Sequence, residues 1–304
     1  MSVVCCIQGS FGPPHLGHKG LSEHVGNNLL RLYSDAKKIQ VLFMPTSNIS
    51  SKASISKKSL NPSEYVSEED RQAMLQIYCD ELNKEFKGKN IVFSVSTIEY
   101  SIQPEKKSTA TVHTLREIRK ELCQKEDCTF VLAIGEDNAR QFPWWSYIDE
   151  WPGLIDKLLL VDRLGQNKHI HPSTYKITSY NKAKNTLGFD GPPWKGAPDY
   201  ETMINKPGIA EALSALAEKT ELLPQPPGYS SSEVRKILNS YYLQGGLEQK
   251  ITFKKLEELC GEKVAKYLVS HSIGNPTQVK AVGGKRNRKS TRKTKRKNRI
   301  TRKK

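Results

Sequence analysis

Residues 9–18 read GSFGPPHLGH and follow directly on the apolar run Val3-Val4-Cys5-Cys6-Ile7. An uninterrupted apolar run of this length is the pattern of a strand buried on both faces, as in a parallel sheet. Gly9 is expected to let the chain turn tightly where that strand ends, and Pro13 and Pro14 to stiffen the loop. His15 and His18 stand three apart, one helical turn, and point the same way if a helix begins here. Exposed N–H groups at a helix start attract phosphate. In open parallel sheets, ligands collect at the carboxyl ends of strands.

Outward from this stretch the chain alternates between strand-like and helix-like segments. The spacing predicts a helix over 19–33, a strand over 39–44 stopped by Pro45, and a loop over 46–66. Ser67, with Glu68, Glu69 and Asp70 after it, predicts a helix start. Strands are expected over 91–98, 129–134, 157–161 and 220–223. Residues 103–109 read as a polar loop, and helices are expected over 112–122, 208–219, 230–240 and 253–271. This order predicts an α/β fold, a Rossmann-like parallel sheet with helices on both faces. Residues 165–207 read as an insertion carrying a strand or two. The expected organisation is a catalytic domain over 1–272 and a disordered basic tail over 273–304.

The net charge is +16, but residues 285–304 supply +13 of it and leave +3 for the body of the chain. Such a run neutralises phosphates, so non-specific nucleic acid is its expected partner, or it acts as a nuclear address. It has no interleaved aromatics for base stacking. The six cysteines form no C-x-x-C pair, and no apolar run reaches the about 20 residues of a membrane span. With no signal-peptide pattern at the start, the expectation is a reduced, intracellular, soluble protein, cytoplasmic or nuclear, with no membrane partner. His169 and His171 lie close together without a third ligand, which reads as a surface loop and not a metal site.

The pattern G-S-F-x-P-x-H-x-G-H after a first strand resembles the signature of the HxGH nucleotidyltransferases, and among them the nicotinamide/nicotinate mononucleotide adenylyltransferases. Further stretches resemble that family in the same order: Met44-Pro45; Lys57-Lys58-Ser59-Leu60; Asp70-Arg71 with Met74-Leu75; Gly135-Glu136-Asp137-Asn138 with Phe142 and Trp145; and Tyr229-Ser230-Ser231-Ser232-Glu233-Val234-Arg235. The resemblance covers roughly residues 3–240, with 165–207 poorly matched. One departure is Ala110-Thr111-Val112-His113-Thr114, which keeps Thr111 but lacks the aromatic and acidic residues often found there, so the pyridine pocket and the choice between amide and acid forms stay open.

The resemblance implies attack by a mononucleotide phosphate on the α-phosphorus of ATP, with Mg²⁺, to give a dinucleotide and pyrophosphate. Catalysis is then positioning and charge neutralisation. It implies that His18 meets the α-phosphate and His15 the neighbouring phosphates, although His15 could instead make a helix-start hydrogen bond. Gly9, Ser10 and the backbone of Phe11 would face substrate phosphates, with the Phe11 ring alternatively in the core. Ser231 and Ser232 would open a helix start to the β/γ-phosphates, or simply cap it, and Arg235 would pair with those phosphates. Lys57 or Lys58 would add charge. Gly135 and Asp137 would meet ribose, or Asp137 would cap the next helix. Trp145, or Trp144 beside it, would stack on the pyridine, with Thr111 and Arg163 as further mononucleotide contacts. Rival readings keep the fold with another acceptor, as in cytidylyltransferases or pantetheine-phosphate adenylyltransferase, or make the chain a nucleic-acid-binding protein acting through its tail.

Overall fold

A computed structural model describes residues 1–47, 66–102, 110–123, 128–139, 141–161, 196–223 and 229–275, with Glu136 and Asp137 by backbone only. Six strands form one sheet: β1 (Ser2–Gly9), β2 (Lys38–Pro45), β3 (Ile91–Val95), β4 (Cys128–Gly135), β5 (Lys157–Val161) and β6 (Thr220–Leu223). All five neighbouring pairs are parallel, in the order β3-β2-β1-β4-β5-β6. The longer helices are α1 (Leu16–Leu32), α2 (Glu68–Glu85), α3 (Thr111–Leu122), α4 (Ile209–Glu218), α5 (Ser231–Leu243), α6 (Gly246–Cys260) and α7 (Glu262–Ser270). The expected Rossmann-like sheet with helices on both faces is what the chain adopts.

The alternation of side chains along β1 explains the two layers. Val3, Cys5 and Ile7 face one core, filled by Leu21, Val25 and Leu29 of α1, by Met74, Leu75 and Tyr78 of α2, and by apolar residues of α5, α6 and α7. Val4 and Cys6 face the other, with Val112 and Leu115 of α3, Leu213 and Leu216 of α4, and the rings of Phe142 and Trp151. A strand sealed on both sides has no polar positions to spare, which is why β1 reads as an unbroken apolar run. Because β1 and β4 are neighbours, connections leave toward opposite faces on either side of them. Their carboxyl ends therefore frame the crevice where an open α/β sheet holds ligands.

Local chemistry sets the element ends. Ser67 Oγ accepts the Asp70 backbone N–H at 3.0 Å, the expected cap of α2. β3 ends at Val95, short of the expected 98, because Ser96 Oγ takes the Ile98 N–H at 3.4 Å and the chain turns into a short helix, Ile98–Ser101. The helix expected over 253–271 is two, α6 and α7, broken at Gly261, whose φ of 76° lies in the left-handed region that glycine adopts at no steric cost. Of the expected insertion, the described residues 196–207 contain a short helix, Tyr200–Ile204, and no strand. Asp199 caps it by accepting the Thr202 N–H at 2.8 Å. The expectation of a fully reduced chain fails at one pair. The end of α3 and the start of β4 bring the Cα atoms of Cys123 and Cys128 to 5.3 Å, within disulfide reach, and the two are bonded. The other four cysteines are buried thiols. Among the described residues no helix is long and apolar enough to cross a membrane.

Candidate active site at the carboxyl rim of the sheet

The loop after β1 is built around Phe11. Its ring is 1% exposed and meets Phe43 edge-on with centroids 5.7 Å apart. The ring lies over Gly9, where a Cβ would come within 2.9 Å of it. Glycine at position 9 is thus required by a packed ring, and the alternative of Phe11 as a core residue is the one the structure adopts. Phe11 itself has φ 47°, unusual for a residue with a side chain.

His15 stands at the N-cap of α1 and is 1% exposed; His18 is less buried. The two imidazoles stack with centroids 3.7 Å apart, so the three-residue spacing does place them together. The His15 backbone N–H donates to Nδ1 of His18 at 3.1 Å. That bond is one half of a capping box at the helix start, whose other half joins the His15 side chain to the His18 backbone. An Nδ1 that accepts leaves the ring proton on Nε2, as a donor. The edge of Phe11 against His18, at 4.9 Å, helps fix that ring.

The start of α5 closes over this loop. Ser230 is its cap, accepting the Glu233 N–H at 3.2 Å, which leaves the next two serines for other partners. Ser231 Oγ donates to the Pro13 carbonyl at 2.9 Å. Arg235 donates to the Gly12 carbonyl at 2.6 Å and to Ser232 Oγ at 3.0 Å. Two stretches more than two hundred residues apart are thereby joined at one rim of the sheet. The start of α5 and the Arg235 guanidinium thus adjoin the loop that leads into the histidines, and a helix start is the positive end of the helix dipole.

Arg71 of α2, quoted among the motifs but not expected at the site, ties two loops together. Its guanidinium donates to the carbonyls of Ser10 at 2.9 Å and Thr46 at 2.6 Å, and its Nε to Ser67 at 3.3 Å. Nearby, Glu99 is 2% exposed and accepts the Ser47 N–H at 2.8 Å and the Thr114 hydroxyl at 3.3 Å. Burial pushes its carboxyl up to about 7, against the pull of those two hydrogen bonds and the Arg71 charge. Periodicity carries no signal for Glu99, because it lies in a one-turn helix just past the expected end of the strand. Gln8 was likewise missed. It is the polar residue that ends an apolar strand, and its Nε2 donates to Thr111 Oγ1 at 2.6 Å.

On the other side of the crevice Thr111 opens α3. Trp145 is partly buried, edge-on to Phe142 and Trp151 at 5.1 Å each. Trp144 packs on Tyr200 and donates to the Pro198 carbonyl at 2.7 Å. Gly135 is the buried last residue of β4, opposite Val161. Asp137 lies by backbone in the turn Glu136–Ala139. Lys57, Lys58, Arg163, His169 and His171 lie outside the described residues, as does the basic run 285–304.

The sequence matches the family described as cytidylyltransferase-like over residues 6–237. A probable nicotinate-nucleotide adenylyltransferase of Halalkalibacterium halodurans is 29% identical over 150 residues, 49% of this chain and 59% of that relative. The matched part thus spans less than two thirds of the relative's length. Two structures of the Plasmodium falciparum nicotinic acid mononucleotide adenylyltransferase, complexed with APC and with NaAD, are 13% and 14% identical, each with 90% of this chain and 98% of the other covered and a TM-score of 0.48. A putative nicotinate-nucleotide adenylyltransferase from Vibrio parahaemolyticus gives 16% identity and a TM-score of 0.35, covering 72% of this chain and 99% of that one. With more than three quarters of its length inside one family match, and with that fold and rim, the chain belongs to the cytidylyltransferase-like family.

Proposed function

We propose that the chain is an adenylyltransferase that joins a pyridine mononucleotide to the AMP moiety of ATP. A phosphate oxygen of the mononucleotide bonds to the α-phosphorus, the bond from that phosphorus to the bridging oxygen breaks, and pyrophosphate leaves. The observation that carries the reading is the pair of bonds from Ser231 and Arg235 to the loop that bears the stacked histidines. Donors from two segments then converge where a triphosphate's charge would sit. His18 Nε2–H donates to the α-phosphate as charge develops on it, and His15 and Arg235 hold the neighbouring phosphates. Ser10, Ser231, Ser232 and Lys57 add donors or charge. Mg²⁺ enters with ATP as part of the substrate.

We assign the two substrates to separate sides of the crevice. Histidines and α5 lie on the α1 face, while Thr111 and Trp145 lie on the α3 face. We assign the pyridine mononucleotide to the second side, with Arg163 as a further contact, and give Gly135 and Asp137 to the ribose of ATP. Residues 1–272 form the catalytic domain on this reading, with 165–207 inserted and 273–304 as a tail that takes no part in catalysis. The match to a probable nicotinate-nucleotide adenylyltransferase supports the choice of acceptor. The test is pyrophosphate release from ATP with nicotinamide mononucleotide, nicotinate mononucleotide or phosphopantetheine, and from CTP with the same acceptors. Dinucleotide formation from ATP and either pyridine mononucleotide is expected. Turnover of phosphopantetheine or CTP alone would move the assignment to another acceptor or nucleotide.

A further inference from the structure

The loop after β1 turns its carbonyl oxygens toward the protein. The Gly9 carbonyl accepts the Thr46 N–H at 3.0 Å, that of Ser10 accepts Arg71 Nη1 at 2.9 Å, that of Gly12 accepts Arg235 at 2.6 Å and that of Pro13 accepts Ser231 Oγ at 2.9 Å. A trans peptide carries its C=O and N–H on opposite edges, so a carbonyl drawn one way aims its N–H the other. For Gly12 and Pro13 this yields no donor, because the next residues, Pro13 and Pro14, have no N–H. For Ser10 it does: the opposite edge of that trans peptide is the Phe11 N–H.

Arg71 fixes which way that edge faces. Its side chain, on α2, is 4% exposed, and the Nη1 that holds Ser10 also donates to the Thr46 carbonyl at 2.6 Å. The N–H of that second peptide belongs to Ser47 and is taken by Glu99 at 2.8 Å, so the peptide is gripped at both edges. With Nε on the Ser67 carbonyl as well, the guanidinium has anchors independent of the loop it holds. Thr46 follows β2, and β4 lies on the other side of β1. The Ser10 carbonyl is thus drawn toward the β2 side, and the Phe11 N–H is aimed toward the crevice between β1 and β4. A cation on the oxygen of a peptide also strengthens its N–H as a donor. On the adenylyl-transfer reading above, on which this inference rests, that crevice receives phosphates. We infer that Arg71 is a positioning residue for adenylyl transfer, turning the Ser10–Phe11 peptide so that the Phe11 N–H donates to a substrate phosphate.

The test joins kcat/KM for ATP to the Phe11 amide resonance of ¹⁵N-phenylalanine-labelled full-length protein, titrated with a non-hydrolysable ATP analogue and with the mononucleotide. In the wild type the Phe11 amide proton is expected to move downfield as one of them binds. Arg71→Met keeps the side-chain length and removes the donors. Its kcat/KM should fall at least about tenfold, and the downfield movement should be lost while Phe93 and Phe130, one in each core, keep their resonances. Arg71→Lys, which keeps a charged donor, should recover part of both. A merely structural role would lower the unfolding midpoint and leave the Phe11 response of the folded protein intact. If Arg71→Met does not fold, replacing Phe11 by phenyllactate decides, because it keeps the ring and exchanges only the N–H for an ester oxygen. A loss of at least about tenfold in kcat/KM supports the inference, and one below about twofold overturns it. A wild-type Phe11 amide that ignores both ligands while the enzyme turns over, or an Arg71→Met protein with an unaltered Phe11 response or a rate within about twofold of wild type, overturns the inference and leaves adenylyl transfer standing. Failure of the wild type to use either pyridine mononucleotide overturns both.

Discussion

Gly9 and Phe11 constrain each other, and this pair shows how narrowly the loop is specified. Adding one methyl at position 9 drives a Cβ to 2.9 Å from a ring that is itself wedged against Phe43 and His18. Gly9→Ala is expected to cost about 1–3 kcal/mol in urea unfolding and to lower turnover by loosening His18. His18→Ala acts differently. On the proposed function its Nε2–H serves mainly the transition state, so kcat should fall by about 10²–10³ while KM for ATP changes by less than about threefold. Equal losses in both parameters, seen in steady-state kinetics, would contradict that role. Glu99 supplies a pH test. Its carboxyl, buried at the rim, titrates near 7 in the folded chain against the usual 4.5. The folded state therefore binds this proton more tightly than the unfolded one. Its contribution is full below about pH 4.5 and is lost as pH rises through about 7. Between about pH 5 and about pH 8 the wild type should lose about 2–3 kcal/mol of unfolding free energy through this group, and Glu99→Gln should remove that slope. An identical slope in the two proteins would show that Glu99 does not titrate in this range.

At the scale of elements, the strands were legible because the four inner ones, β2, β1, β4 and β5, are buried in a parallel sheet and spell themselves as apolar runs. The 157–161 and 220–223 strands have the bounds the pattern predicts. The helix over 253–271 was misread because apolar spacing continues through Gly261, and periodicity does not register a left-handed φ. Gly261→Ala should accordingly strain the α6–α7 junction by about 1–2 kcal/mol, read as a shift in unfolding midpoint with KM unchanged. The site was legible in its two ends: the loop 9–18 and the helix start 230–235 are read from sequence, and they do meet. What the sequence withheld was the wiring. That Ser230 caps while Ser231 reaches Pro13, that Arg71 links the exits of β1 and β2, and that Gln8 grips Thr111 are long-range contacts. No local pattern encodes them. Arg235→Lys keeps the charge but lacks the planar fork that bridges Gly12 and Ser232, so kcat/KM for ATP should fall by at least about tenfold.

For the whole molecule, charge and catalysis separate along the chain. The globular body carries +3 and the last twenty residues +13. Deleting 285–304 should leave adenylyl transfer within about twofold of the full chain. It should also abolish salt-dependent retention on a polyanion such as heparin. A catalytic loss on truncation would bring the tail into the site. The two sides of the crevice make the larger claim: α1 and α5 grip the triphosphate, and α3 with Trp145 holds its acceptor. A crystal structure with a non-hydrolysable ATP analogue examines that most directly. The account predicts phosphate oxygens within about 3.2 Å of both His18 Nε2 and the Arg235 guanidinium in one bound nucleotide. A triphosphate that touches one of these and lies away from the other would contradict it.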